Sequence, residues 1–72
     1  MMKLSEFVKK YRKMNLLTQK DFAAQLRMSN VQVSKIESGR PLSIRTMRKL
    51  SDIMNVDPET IYQMSKEERW WN

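Results

Sequence analysis

Only three residues, Arg27, Met28 and Ser29, separate two apolar patterns of helical period in TQKDFAAQLRMSNVQVSKIESGR, residues 18–40. A turn that short sets its two helices at a steep angle and projects the second one, so the rest of the chain must fold around a bent pair. On the incoming side Thr18 reads as an N-cap, and Asp21 three residues later completes a capping box. Phe22, Ala23 and Leu26 then share one face of a helix that runs to about Leu26. On the outgoing side Ser29 reads as the next N-cap, and Gln32 supplies a second capping box. This helix ends near Ser38, because Gly39 offers a left-handed cap and Pro41 cannot continue a helix.

The flanking segments are also helical. Leu4, Phe7, Val8, Tyr11 and Met14 recur at spacings of three and four, which predicts a first helix over residues 3–14, with Asn15 taking a helix-ending conformation. Ser43 caps a fourth helix whose inward side is expected to carry Ile44, Met47, Leu50, Ile53 and Met54. Asp57-Pro58 is an N-cap followed by proline at the first helical position. It opens a short fifth helix with Ile61 inward and Tyr62 or Met64 beside it. No segment alternates with a period of two. The expected fold class is all-α, five short helices in one domain, since 72 residues leave room for no more.

Composition removes several chemistries. There is no cysteine and no histidine, so disulfides, thiolate nucleophiles and the commonest metal ligand and general base are all missing. No nucleophile–base pair, phosphate loop or metal cluster appears, and neither an enzyme nor a cofactor is expected. No window approaches the roughly 18 apolar residues of a membrane span. The opening MMKLSEFVKKYRKMN alternates apolar and charged residues, unlike a leader. The expected location is cytoplasmic, in a bacterial cell or a phage-infected host. The net charge of +6 is unevenly placed. Residues 8–50 carry eleven Lys or Arg against two acids, a balance of +9, whereas residues 51–72 carry two against five, a balance of −3. A basic body with an acidic end suits a polyanion partner.

On a helical wheel Val33 and Ile36 lie about 60° apart and define the buried side of the third helix. Val31, Ser34, Lys35 and Ser38 cluster opposite. Asn30 stands in the first turn and Gln32 on a flank. This outward face is small, polar and mostly uncharged, without the Glu/Lys mixture of a merely solvated surface. Major-groove base edges ask for such groups: an amide for adenine, a cation for guanine, an apolar group for the thymine methyl.

In this context TQKDFAAQLRMSNVQVSKIESGR resembles the helix-turn-helix of the Cro/phage-repressor (XRE-like) family. Thr18-Gln19, Phe22-Ala23, Leu26, Met28-Ser29, Val33-Ser34, Ile36-Glu37 and Gly39 match the family pattern, and LSIRTMRKLSDIMNVDPETI is similar to its fourth helix and the start of its fifth. The resemblance covers about residues 4–62 and implies a lambda-repressor-like fold. One departure stands out. The family commonly has glycine where this chain has Arg27, so Arg27 either accepts a left-handed backbone at roughly 1 kcal/mol or takes a variant turn.

The resemblance also implies roles. Gln19 corresponds to a residue that hydrogen-bonds a phosphate and steadies the first side chain of the third helix, here Asn30. Asn30, Val31 and Lys35 occupy base-reading positions, with Ser34 secondary. Val31 is either an ordinary exposed valine or a thymine-methyl contact, and Lys35 reads a base or holds a phosphate. Arg40, Ser43 and Arg45 correspond to the phosphate-binding loop and the start of the fourth helix, where free N–H groups and the helix dipole assist. Lys9, Lys10, Lys13, Arg48 and Lys49 supply a general positive field. Glu37 lies about 70° from the middle of the buried side and needs a cation. The family pairs it with an arginine of the first helix, here Arg12, as a structural ion pair.

The expected organisation is a helix-turn-helix DNA-binding domain over residues 1–64 and a tail over residues 65–72. Trp70 and Trp71 in that tail either pack back on the domain or join helix five in a homodimer contact. The expected function is a sequence-specific, Cro-like transcriptional repressor that binds a near-palindromic operator as a dimer. The alternative is an interaction protein of the antitoxin or anti-repressor kind, whose main or regulatory partner is another protein.

Overall fold

The computed structural model describes residues 1–68, and Trp70 and Trp71 lie outside the described residues. Five helices follow one another: α1 (Leu4–Met14), α2 (Gln19–Leu26), α3 (Asn30–Glu37), α4 (Ile44–Met54) and α5 (Pro58–Ser65). No strand occurs among the described residues, so the all-α expectation holds. Four of the five starts follow from a short polar side chain that satisfies an otherwise unpaired N–H. Thr18 and Asp21 form a reciprocal capping box, Ser29 accepts from the Gln32 N–H, Ser43 from Thr46 and Asp57 from Glu59. The reciprocal bond expected from the Gln32 side chain is not made, so that capping box is half formed.

The helices close over one core. It takes Leu4 and Val8 from α1, Phe22, Ala23 and Leu26 from α2, Val33 and Ile36 from α3, Met47, Leu50 and Met54 from α4, and Ile61 and Met64 from α5. α1 packs on α3 and α5, α2 on α3 and α4, and α4 on α5. Three residues expected inward are exposed: Met14, Ile44 and Ile53. The buried stripe of α1 centres on Leu4, Ser5 and Val8, which leaves Met14 about 125° away on the wheel. The α4 stripe runs through Met47, Leu50, Ser51 and Met54, so Ile53 lies about 110° off it and Ile44 occupies the first turn at its edge.

Four helices end in the same way. Leu16 follows α1, Arg27 α2, Gly39 α3 and Asn55 α4, all with positive φ of 56°, 55°, 82° and 55°. The next residue donates its N–H back to the last turn: Leu17 to Arg12, Met28 to Ala23, Arg40 to Lys35 and Val56 to Ser51, at 3.0–3.1 Å. This is the Schellman motif, in which an apolar residue after the left-handed one often folds back on the helix. Leu17, Met28 and Val56 do so and pack against the core, whereas Arg40 stands exposed in the equivalent place. Arg27 therefore accepts the left-handed backbone. At the end of α1 the positive φ falls on Leu16 rather than on Asn15, whose side-chain amide bonds the Tyr11 carbonyl at 2.8 Å.

The start of α1 is the exception among the helix starts. Its N-cap, Lys3, makes no side-chain capping bond. The Ser5 N–H instead donates to the Glu68 carboxylate at 2.8 Å, across 63 residues of sequence.

A left-handed leucine costs about 1–2 kcal/mol, while glycine gives back roughly 0.5–1 kcal/mol through its freer unfolded chain. Leu16 is 91% exposed and loses no burial on replacement. Leu16→Gly is therefore expected to raise stability by about 0.5–1 kcal/mol in urea titration, and an unchanged or lower midpoint would contradict the strain. The Asp21 carboxyl is held below its ordinary 3.8 by the Thr18 backbone N–H and then by the Thr18 side chain. A depressed folded value means that its stabilising contribution is complete above the unfolded value and is lost as pH falls through the folded one. The stability gap between wild type and Asp21→Asn should accordingly shrink as pH falls from about 5 through the lowered folded value, and a constant gap would deny the carboxylate that part.

Candidate nucleic-acid interface

The bent pair of α2 and α3 is held at its corner by Arg27, Met28 and Ser29. Arg27 reverses the chain through its left-handed backbone, Met28 packs inward, and Ser29 caps α3. With Val33 and Ile36 buried, Asn30, Val31, Gln32, Ser34 and Lys35 face solvent, and Val31 is 58% exposed. Asn30, Val31 and Lys35 make no internal side-chain hydrogen bond among the described residues, so they are available to a partner. Ser38 is turned back, its hydroxyl donating to the Ser34 carbonyl at 2.8 Å.

Beside this face runs an open crevice of about 240 Å³, with Met28, Ile36, Pro41 and Leu42 among its lining residues. Lys35, Arg40 and Ser43 are brought together on its walls, with Gln32 and Thr46. Arg45 is exposed nearby on the first turn of α4 but does not line the crevice. The Ser43 hydroxyl is occupied, accepting from the Thr46 N–H at 3.2 Å and lying 3.1 Å from the Thr46 hydroxyl. What the start of α4 offers an anion is thus chiefly its free backbone N–H groups. Thr46 was not singled out from sequence. Its position three residues after an N-cap serine is the signal that places it at the crevice mouth.

Behind α3, the Glu37 carboxylate is shut in. Arg12 Nε donates to one oxygen at 2.7 Å, and Arg12 Nη2 to the other at 3.0 Å. Gln19 Nε2 donates to that second oxygen at 3.3 Å. The side chains of Arg12 and Glu37 keep only 11% and 5% of their accessible surface. The third arm of the fork, Arg12 Nη1, donates to the Leu17 carbonyl at 2.9 Å. The hydrogen bond to Glu37, ahead of the opposing effect of burial, holds the Arg12 guanidinium above its ordinary value, so it stays charged. Gln19 was expected to steady Asn30. Its amide is instead drawn to Glu37, because a buried carboxylate is the stronger acceptor.

A helix-turn-helix family model matches residues 8–61. The chain belongs to the Cro/repressor-like helix-turn-helix family. No match was found among curated proteins. The family is one of DNA-binding regulators and is generally non-enzymatic. No helix among the described residues of this helix-turn-helix protein is long and apolar enough to cross a membrane.

Removing one member of a buried pair leaves an uncompensated charge and costs about 3–5 kcal/mol. The guanidinium edge here touches solvent, which puts this pair at the lower end. Arg12→Ala is expected to lower stability by about 3 kcal/mol, and Glu37→Lys, which adds repulsion, to unfold the chain. A Glu37→Lys protein that melts like wild type would show that the clasp does not hold the helices together.

Proposed function

We propose that this helix-turn-helix protein is a sequence-specific double-stranded DNA-binding regulator, most simply a Cro-like repressor. The observation that carries the reading is the juxtaposition of two surfaces. One is an exposed, mostly uncharged α3 face made of an amide, a valine and a lysine without internal partners. The other is a crevice at its edge lined by Lys35 and Arg40. The first has the chemistry of base edges and the second that of a phosphate. α3 enters the major groove. Asn30, Val31 and Lys35 read bases, and Ser34 is their close neighbour. Arg40, Arg45 and the N–H groups that follow Ser43 hold the backbone. Gln19, anchored on Glu37, has a second amide hydrogen for a phosphate. A chain of this kind bound across a promoter blocks polymerase.

One eight-residue helix spans only a few base pairs, so an operator of useful length calls for two copies on half-sites about 34 Å apart. A homodimer through α5 and Trp70 and Trp71 is part of this reading. α5 itself exposes no large apolar side chain. The apolar surface beside it belongs to Met1, Met2 and Phe7, which line a groove with Met64. The rival function, an antitoxin or anti-repressor whose main partner is a protein, predicts a chain that selects no duplex.

Selection of bound duplexes from a random pool, at stated salt, tests the reading. Lys35→Ala should then lower affinity by about 1–3 kcal/mol and relax preference at one position. Arg45→Ala should weaken all sequences alike and reduce the salt slope by about one. Amide shifts of Asn30, Val31 and Lys35 that stay unmoved under saturating selected duplex would exclude α3 as the reading element.

A further inference from the structure

Glu68 is an acid with only 8% of its surface exposed, three residues beyond the end of α5. Among the described residues it has no ion-pair partner, the Arg12–Glu37 pair being the one salt bridge there. Its charge is met by the start of α1, where Oε1 takes the Ser5 N–H at 2.8 Å. A carboxylate is favoured there by the helix dipole. Because Lys3 caps nothing, Glu68 serves as the N-terminal cap that α1 lacks locally.

The other oxygen points elsewhere. A Cβ added to Gly39 would stand 2.7 Å from Glu68 Oε2 and 3.5 Å from Cδ. The carboxylate is therefore packed directly against the left-handed turn that ends α3. On one side Leu4, Ile36, Leu42 and Ser65 close the crevice to about 10 Å³, no more than one water needs, while on another Glu68 and Gly39 border an open crevice of about 270 Å³ with Lys3, Glu6 and Ser38. Arg40 follows Gly39 at once. It is also the residue that breaks the pattern of apolar latches at the other three helix ends. The turn that presents Arg40 thus lacks an apolar latch at that position; beyond its backbone bonds and Leu42, it is backed by Glu68.

We propose that Glu68 is a positioning residue for DNA binding: seated on the start of α1, its carboxylate buttresses Gly39 and so fixes the backbone that carries Arg40 and leads to Ser43. This rests on the reading of Arg40 as a phosphate ligand. A group held in place before the partner arrives loses less freedom on binding. Glu68 consequently takes part in binding through the turn it supports rather than as a ligand of the nucleic acid.

The test compares full-length wild type, Glu68→Ala and Glu68→Asp, with Lys35→Ala as a contrast. Two readouts are taken at a temperature where circular dichroism shows each protein folded. These are the backbone amide shifts of Gly39 and Arg40, and affinity for a wild-type-selected duplex over a range of salt. Glu68→Ala is expected to move both amides and weaken binding about tenfold. Its salt slope should be shallower by about 0.9, one phosphate contact, with base preference unchanged. Glu68→Asp withdraws the carboxylate from Gly39 by one methylene and should show the same changes to a smaller degree. It decides the matter if the alanine variant does not fold. Lys35→Ala should leave the Gly39 and Arg40 amides in place. A folded Glu68→Ala with wild-type affinity and slope would reduce Glu68 to a helix cap and overturn the proposal. If wild type selects no duplex, the DNA reading falls by itself, and unmoved Gly39 and Arg40 amides in Glu68→Ala would then refute the buttress independently.

Discussion

A carboxylate removed from water must find donors, and Glu37 finds them on two other helices. Arg12 reaches it from α1 and Gln19 from α2, while Glu37 itself is the last residue of α3. In a chain without disulfides, and with a core of a dozen apolar side chains, that clasp fixes what hydrophobic contact leaves adjustable. Packing tells α3 which side faces inward, because Val33 and Ile36 have no alternative. It fixes slide along the helix axis less closely. A bidentate guanidinium–carboxylate pair has directional geometry and fixes it more closely. The same guanidinium bonds the Leu17 carbonyl at the end of α1, so one side chain orders the corner before α2 as well as the helix beyond it.

The helix boundaries were legible because the chain announces them with short-range chemistry. Thr18, Ser29, Ser43 and Asp57 each cap the helix that follows, and a cap is a contact over two or three residues that sequence displays directly. The pairing of Arg12 with Glu37 was legible by resemblance. Periodicity served less well at the helix ends. Met14 continues a three-and-four spacing from Tyr11, but the drift of that spacing over a full helix carries it off the buried face. Ile44 and Ile53 are apolar, yet Ser51 takes the buried place between Leu50 and Met54, because its hydroxyl bonds the Val56 carbonyl at 2.6 Å. Glu68 was illegible for a different reason. Its partners are Ser5 and Gly39, and nothing local to residues 65–68 announces a cap supplied from the far end of the chain. The one available signal was negative: a first helix that begins after Lys3 without a capping side chain.

The division of charge follows the division of labour among the helices. The exposed side of α3 holds a single cation, so on the proposed DNA-binding reading affinity from phosphates and discrimination among bases fall largely to different residues. On that reading, phosphate neutralisation by Arg40, Arg45 and the α1 lysines would act on any sequence, while Asn30 and Val31 have no charge with which to bind indiscriminately. The acidic balance lies in the sequence after residue 50, apart from α3 and the residues proposed to hold phosphate.

Arg40 occupies a place where Leu17, Met28 and Val56 each turn an apolar side chain inward. Three corners of the molecule are shut by grease and the fourth by a salt-attracting group aimed at solvent. That corner lacks the apolar contact of the other three at the equivalent residue. On the proposed DNA-binding reading, a leucine at position 40 would add that contact and remove a grip on the phosphate. The single glycine of the chain stands next to it, so the one left-handed turn that needs no strained side-chain-bearing residue is also the one that presents a cation.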